Sequence, residues 1–456
     1  MKVHLRVVEG PDVGRTFSFE TRDRFLIGRA PTAHFQITQD NYFSRHHMML
    51  EVNPPNVMLQ DLQSTNGTLL NTSADKIKTP VNLKHGDTIG GGKTRIQLAI
   101  EEDDAVLATE LPSDTPPSAS GKVPIIRPSG GFAAPKPGEK VAVRCLKCGK
   151  PASNELPRSR AENMAYFCDA CQVALVEEPK LLPGYQVVKK LGNGAMGAVY
   201  LALQQAVSRP VAIKMILPRA AMSQKIRDMF LREAREQAKL DHPRVVRLID
   251  FQESAPGIFC MVMEYVEGTD AGELLAKSPG GLDSKLAVEI VAQALEGLAH
   301  AHDKGIVHRD IKDANMLVGY DPHGAVAVKL SDFGLAKSYE TSGASGFTST
   351  GTIAGTVPYM APEQVLDFKN VKPTADLYSM GATLYHLLTD QLAYDFGRKI
   401  DPLVMILEQD IVPIQQRKPS IPTPLATAIE RSMRKDPTQR YRDAGEMRRA
   451  LLAACP

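Results

Sequence analysis

Asp310, Lys312 and Asn315 fall within six residues in "HRDIKDAN", and Asp332 follows in "SDFG". A carboxylate, an ammonium and an amide this close, with a second carboxylate beyond the next strand-like run, supply a proton acceptor, a cation for a migrating phosphate and oxygen donors for Mg²⁺. Mg²⁺ keeps few protein ligands beside phosphate oxygens and water, a demand that one Asn and one Asp meet. Upstream, "LGNGAMGAVYLA" carries Gly192, Gly194 and Gly197 between two strand-like runs. Glycines at that spacing let a backbone approach phosphates and aim N–H groups at them. Alone, the stretch is equally well explained as a Gly-rich hairpin. It does not stand alone: "VAIK" ends on Lys214, seventeen residues past Gly197, and "FLREAREQAKL" offers Glu233 on a helix as an ion-pair partner.

Two further clusters carry chemistry. Cys145 and Cys148 form one CxxC pair, Cys168 and Cys171 another, with 19 residues between the pairs, while Cys260 and Cys455 stand apart. That spacing fits a structural Zn²⁺ site, and four thiolates make a closed site without an open catalytic position. Redox CxxC motifs or scattered core thiols are the alternatives. Near the N-terminus, "DLQSTNGTLLN" (61–71) holds Asn66-Gly67, a strong hairpin signal because both residues tolerate positive φ. A hairpin does not account for Ser64 and Thr65 beside it, or for Gly28-Arg29 in "FLIGR" and Ser44-Arg45-x-His47 in "SRHH". A guanidinium fork with hydroxyls and an amide suits a phosphate monoester on a peptide.

The elements that must position these groups divide the chain. Residues 1–100 read as an all-β sandwich of short strands such as "VHLRVV", "TFSFE", "NVMLQDL" and "TRIQLAI", separated by Gly, Pro, Asn and Asp turns. Residues 101–140, rich in Pro, Gly, Ser and Ala, read as a flexible linker that cannot bury enough apolar area to fold. Residues 141–176 form the cysteine segment, too small for a core of its own without a metal. Residues 183–454 start with strands ("YQVVKKLG", "AVYLALQ", "PVAIKMI") and continue with helical periodicity, as in "KLAVEIVAQALEGLAHAH". The expected architecture is therefore multidomain: a sandwich, a small metal-stapled cysteine segment and an α+β unit of strands followed by helices.

The bulk figures fit this division. The chain has 456 residues, 43% hydrophobic and 23% charged, with a net charge of +2. These are globular values with no long-range pull toward nucleic acid or anionic lipid. No apolar run approaches the roughly 18 residues of a membrane span, and the start "MKVHLRVVEGPDVG" lacks a signal-peptide core. A cytoplasmic location is expected, in a compartment that keeps thiols reduced.

From about Tyr185 to Leu452 the chain resembles a eukaryotic-type protein kinase, through the motifs above and "GTVPYMAPE" (355–363), "DLYSMG" (376–381) and Arg440 in "DPTQRY". The resemblance implies Asp310 as catalytic base and Lys312 on the γ-phosphate, Asn315 and Asp332 as Mg²⁺ ligands, and Lys214 with Glu233 anchoring the α- and β-phosphates of ATP. It places Leu191, Gly192, Asn193, Gly194, Gly197, Val199 and Ala212 around the nucleotide. It likewise implies Met263 as gatekeeper, Glu264 to Val266 at the adenine, and Asp270 at the ribose. Glu363 and Arg440 would be the structural ion pair of the large lobe. Lysine two residues after Asp310, and Thr356 lining the acceptor site, are the serine/threonine pattern. Thr348, Ser349, Thr350 and Thr352 are activation-segment hydroxyls for autophosphorylation, with Arg309 as the phosphate's partner. One departure stands out: Asp313 replaces the usual Pro, and a solvent-facing orientation of little effect is expected for it.

Residues 1–100 resemble a forkhead-associated domain, whose best-known activity is reading phosphothreonine. By that resemblance Arg29 and Ser44 bind the phosphate with Arg45 and Thr65 beside it, Asn66 grips the peptide backbone, and Gly28 and His47 shape the loops. The cysteine segment resembles a zinc ribbon. The expected function is a serine/threonine kinase acting on proteins with ATP, Mg²⁺ and structural Zn²⁺, and recruiting phosphothreonine proteins or its own phosphorylated segments. A phosphopeptide-binding scaffold with a silent kinase fold is the rival. Lys214, Asp310 and Asp332, which silent kinases usually lose, are all present. A nucleic-acid role for the zinc segment is disfavoured, since it is neither notably basic nor aromatic.

Overall fold

The computed structural model describes residues 2–101, 140–157 and 181–455 together with Cys168 and Cys171, apart from gaps at 22, 74, 149, 195–196, 217–230, 232–233, 256–257, 322, 334–355, 368–369 and 397–399. The 101–140 linker, Glu233 and the hydroxyls of Thr348, Ser349, Thr350 and Thr352 fall almost wholly or wholly outside the described residues.

The N-terminal unit contains β1 (Lys2–Glu9), β2 (Thr16–Phe19), β3 (Asp23–Gly28), β4 (Phe35–Gln36), β5 (Met48–Asn53), β6 (Asn56–Asp61), β7 (Leu69–Leu70), β8 (Val81–Leu83), β9 (Thr88–Gly91) and β10 (Thr94–Glu101). They form two five-stranded sheets, ordered β2-β1-β10-β9-β7 and β4-β3-β5-β6-β8. Alternate residues of the facing strands fill the space between the sheets: Val3, Leu5 and Val7 from β1, Phe25 and Ile27 from β3, and Met48, Leu50 and Val52 from β5. This is the period-two burial a sandwich requires.

The second sheet departs from simple alternation. Leu26 and Met49, of opposite parity to the sandwich core, are also buried, at 0% and 1% exposure. They join, with Ala33 and Leu62, the apolar cluster of the C-terminal lobe. The unbroken apolar runs "FLI" and "MML" thus mark strands covered on both faces. Polar contacts rim this seam: Gln60 donates to Asp401 at 3.0 Å, and Glu408 meets Arg45 at 3.3 Å and His46 Nδ1 at 2.7 Å.

β11 (Lys140–Arg144) and β12 (Pro151–Pro157) form an antiparallel hairpin that carries the first CxxC pair in its turn. Five antiparallel strands follow: β13 (Tyr185–Gly194), β14 (Gly197–Gln204), β15 (Arg209–Ile216), β16 (Leu248–Ala255) and β17 (Ile258–Glu264), in the order β13-β14-β15-β17-β16.

The C-terminal lobe is helical around a three-stranded sheet of β18 (Thr269–Asp270), β19 (Met316–Tyr320) and β20 (Val326–Leu330). Its helices include α1 (Ala271–Ala276), α2 (Ser284–Asp303), α3 (Pro362–Leu366), α4 (Pro373–Thr389) and α5 (Pro402–Glu408). Asp283 caps α2, accepting from the backbone of Lys285 and Leu286, which satisfies N–H groups that a helix start leaves open. Gln293 on α2 lies buried, donating to Val326 O at 2.8 Å and accepting from Val328 N at 2.9 Å. That two-way bond ties α2 to β20 and fixes where Asp332 emerges. Among the described residues, no helix is long and apolar enough to cross a membrane.

Candidate active site and phosphopeptide site

The polar constellation sits between α2 and β19 and just past β20. Asp310 is its hub. Its carboxylate accepts from Lys312 Nζ at 2.9 and 3.1 Å, from Thr356 Oγ1 at 2.8 Å and from Asn315 Nδ2 at 3.0 Å. Lys312 Nζ also reaches Thr356 Oγ1, at 3.0 Å. Asn315 donates in addition to Asp310 O at 2.7 Å, so both amide hydrogens are used and its oxygen is the end left for a cation. Asp332 pairs with Lys214 at 2.6 Å. Burial alone would push the Asp332 carboxyl up, yet the Lys214 ammonium holds it below the ordinary carboxylate value. An ionised Asp and an amide oxygen form a hard, all-oxygen donor set that fits Mg²⁺.

Strand register gathers the residues expected around a nucleotide. Val199 pairs with Lys214, Lys214 with Met261, and Ala212 with Met263. Residues paired across a sheet, or two apart along a strand, share a face. Val199, Ala212, Lys214 and Met263 therefore line one face of the sheet. Gly192 pairs with Val199 and Gly194 with Gly197, so the glycines close a β13–β14 hairpin at the end of that face, with Leu191 and Asn193 on its first arm. Glu264 N donates to Arg247 O at 3.0 Å, and Glu264 and Val266 are both half-buried in the connection between lobes. Asp270 caps α1, accepting from Glu273 N at 2.9 Å. Burial raises the Asp270 carboxyl above its ordinary value, and the Glu273 and Asp313 charges reinforce the shift, outweighing the bond from Glu273 N.

The loop that carries Asp310 hangs from α4. Asp376, at the start of that helix, accepts from the backbone of His308 and of Arg309 at 2.8 Å each, and from His302 Nε2 at 2.8 Å. Arg309 has φ +66°, a conformation L residues rarely adopt, and these bonds hold it there. His308 Nδ1 accepts from Asp310 N at 3.3 Å while its Nε2 faces Ser331 O at 2.9 Å, which fixes the proton on Nε2. The motif "DLYSMG" does not by itself assign Asp376 this role, because an acidic residue in the first turn of a helix reads equally well as a dipole partner. Arg440, its side chain fully buried, meets Glu363 in a two-pronged bond of 2.6 and 2.8 Å, as expected.

Asp313 is a correction. It does not face solvent: only 9% exposed, its Oδ2 accepts from Tyr359 OH at 3.2 Å and His386 Nδ1 at 3.1 Å. Partners 46 and 73 residues away turn the side chain inward.

In the N-terminal sandwich the loops between strands converge. Arg29 N donates to Ser44 O at 3.0 Å, and Ser44 Oγ accepts from Thr65 N at 3.0 Å and donates to Thr65 Oγ1 at 3.4 Å. Asn66 Nδ2 donates to Tyr42 O at 2.8 Å. Buried His47 joins two loops, accepting from Ser44 N at 3.0 Å and facing Gly67 O at 3.4 Å. A Cβ on Gly28 would lie 2.1 Å from Arg45 O, so only glycine fits there. Arg29, Ser44, Arg45, Thr65 and Asn66 therefore gather at one end of the sandwich. The hairpin reading of Asn66-Gly67 is overturned. β6 and β7 belong to different sheets, and of the two residues only Gly67 has positive φ, at +79°. The segment crosses between sheets, pinned by Asp61, which accepts from Ser64 Oγ at 2.7 Å and Thr68 Oγ1 at 2.5 Å.

The four segment cysteines converge, with all sulfurs within 4.8 Å of one another and Cys148 Sγ 3.7 Å from Cys168 Sγ. A tetrahedron with Zn–S arms of about 2.3 Å has edges of roughly 3.8 Å, so the set fits Zn²⁺.

A protein kinase domain model matches residues 185–449. The chain belongs to the protein kinase family. An FHA domain model matches residues 25–92, within the sandwich. Among curated relatives, the serine/threonine-protein kinase pkn2 of Myxococcus xanthus is 36% identical over 59% of this chain and 32% of its own length. The serine/threonine-protein kinase PknJ of Mycobacterium tuberculosis is 34% identical over 59% of this chain and 45% of its own length. This chain thus spans less than half the length of either relative. The crystal structure of the Mycobacterium tuberculosis PknI kinase domain is 27% identical over 60% of this chain and 97% of that one, with a TM-score of 0.47.

Proposed function

We propose that this kinase transfers the γ-phosphate of ATP to serine or threonine hydroxyls of proteins, and that its FHA domain binds phosphothreonine peptides. One observation carries the catalytic reading: Asp310 Oδ1 already holds a hydroxyl, that of Thr356, at 2.8 Å, with Lys312 Nζ against both groups. An acceptor hydroxyl beside Thr356 meets a carboxylate able to take its proton. Lys312 offsets the charge of the incoming phosphate. Lys214, on the face shared with Val199, Ala212 and Met263, would hold the nucleotide phosphates, with Glu264, Val266 and Asp270 toward the adenosine. Asn315 and Asp332 would hold Mg²⁺, which when bound neutralises phosphate charge.

Arg29, Ser44, Arg45, Thr65 and Asn66 would receive the phosphothreonine, and Cys145, Cys148, Cys168 and Cys171 a structural Zn²⁺. We assign the reader to residues 1–100, the connection to 101–140, the metal segment to 141–176 and the kinase unit to 183–454. Thr348, Ser349, Thr350 and Thr352 are proposed as autophosphorylation sites.

The test is γ-³²P transfer from ATP to protein acceptors, and to the chain itself, by wild type and by Asp310→Asn. Transfer by wild type that falls at least about 100-fold in the variant, with the far-UV spectrum unchanged, is expected. Equal transfer by both would refute the assignment.

A further inference from the structure

Asp313, Tyr359 and His386 come from three separate parts of the kinase unit: the catalytic loop, the segment after Thr356, and the last turn of α4. Their polar atoms form a closed triangle. Tyr359 OH lies 3.2 Å from Asp313 Oδ2 and 2.9 Å from His386 Nδ1, and His386 Nδ1 lies 3.1 Å from the same Asp313 oxygen. Two hydrogens serve the three edges, one on Tyr359 OH and one on His386 Nδ1, since a bare Nδ1 would face the carboxylate with a lone pair. Asp313 is then the acceptor for both neighbours. Its other oxygen accepts from Ala314 N at 2.8 Å, and α1 closes over it, since a Cβ on Gly272 would lie 3.3 Å from Asp313 Cγ.

We propose that Asp313 and His386 are positioning residues for the protein acceptor. They clamp Tyr359 and so hold Thr356, three residues earlier, against Asp310 and Lys312. This rests on the acceptor-site reading above. Tyr359 N donates to Thr356 O at 3.0 Å and Met360 N to Val357 O at 3.1 Å, so the clamped ring and the Thr356 hydroxyl belong to one tight turn. α4 holds that turn through His386 and the catalytic loop through Asp376, so one rigid helix sets the distance between base and acceptor. A Pro at position 313, the residue usual in similar kinases, would offer Tyr359 and His386 no acceptor.

Asp313→Pro removes the carboxylate with little backbone cost. Lys312 is extended (φ −162°, ψ 168°), the conformation favoured before proline, and position 313 opens a short helical turn, where proline is tolerated. Asp313→Asn and His386→Leu serve as independent variants. For each full-length protein, steady-state kinetics should show KM for an acceptor protein raised about 5- to 20-fold, while KM for ATP and kcat at saturating acceptor stay within about threefold. Asp313→Asn combined with His386→Leu should be no worse than the poorer single variant, because both act through Tyr359. Deuterium exchange should quicken at the amides of Tyr359 and Met360 in every variant, a readout independent of turnover.

Acceptor KM within about twofold of wild type in all three, or unchanged exchange at Tyr359 and Met360, would overturn the clamp while leaving the kinase reading intact. Absence of transfer by wild type would instead remove the kinase reading, and the exchange measurement would then decide the clamp alone.

Discussion

Replacing Asp376 with Asn tests how the loop that carries Asp310 is held. In the native protein Asp376 Oδ1 accepts from Arg309 N, and Oδ2 from His308 N and His302 Nε2, all at 2.8 Å, with the side chain 1% exposed. An amide offers one oxygen, so whichever way it turns its NH₂ faces at least one backbone donor. A buried N–H without an acceptor costs about 1–3 kcal/mol. The left-handed backbone of Arg309, itself costly by roughly 1–3 kcal/mol, loses a bond that sustains it. Together these predict a stability loss of about 2–4 kcal/mol. Asp310, the proposed base, is the next residue, and a displacement of about 1 Å in a catalytic group can lower the rate about 100-fold. Urea unfolding followed by far-UV circular dichroism measures the first effect, since the chain has no Trp to report by fluorescence. Phosphate transfer at saturating ATP and acceptor measures the second. A stability change below about 0.5 kcal/mol with kcat within about threefold of wild type would refute the argument.

The pH dependence has a definite sign. Burial alone would raise the Asp376 carboxyl, but the His302 bond and charge, with the neighbouring His308 and Arg309 N–H, hold it below the ordinary value. A folded value below the unfolded one, about 3.9, gives stability that is present above that pH and lost as pH falls through the folded value. The deficit of Asp376→Asn should therefore narrow below about pH 4.

Other outcomes follow from the same contacts. Lys214→Ala should abolish transfer and Asp332 should lose its 2.6 Å partner, with the far-UV spectrum unchanged; transfer at the wild-type rate would count against its role. Elemental analysis of protein purified without chelator should find one Zn²⁺ per chain, and Cys148→Ser with Cys168→Ser should lose it, as the 3.7 Å sulfur pair requires. Arg440→Ala leaves Glu363 without its buried partner and should lower stability by about 3–5 kcal/mol, read by urea unfolding. Glu408→Ala releases Arg45, a candidate phosphate ligand that is 68% exposed, and should tighten a phosphothreonine peptide by at most about fivefold, the scale of an exposed ion pair; calorimetry on the full chain tests it.

Why some of this is legible in the sequence and some is not has a physical answer. Asp310, Lys312 and Asn315 sit in one short loop, so their spacing constrains their geometry, and the hydrogen bonds among them span at most five residues. The four cysteines are similarly confined by two tight CxxC turns. Arg440 and Glu363, 77 residues apart, can be matched only through a family resemblance. Asn66-Gly67 misleads because a turn signal reports local φ preference and not which strands lie on either side. The chain leaves one sheet at Asp61 and joins the other at Leu69, so tertiary pairing overrides the local signal.

Asp313 shows the limit most clearly. A charged residue on a loop faces water unless donors reach it, and its donors here stand 46 and 73 residues further along the chain. Once Tyr359 and His386 arrive, desolvation that would raise its carboxyl is outweighed by the His386 bond and charge, and the group stays ionised below its ordinary range. Orientation at such a position is decided by the partners and not by the residue. A departure from a family pattern is therefore best read with the positions that surround it in space: the carboxylate at 313 makes sense only with a histidine at 386 and a tyrosine at 359 to receive it.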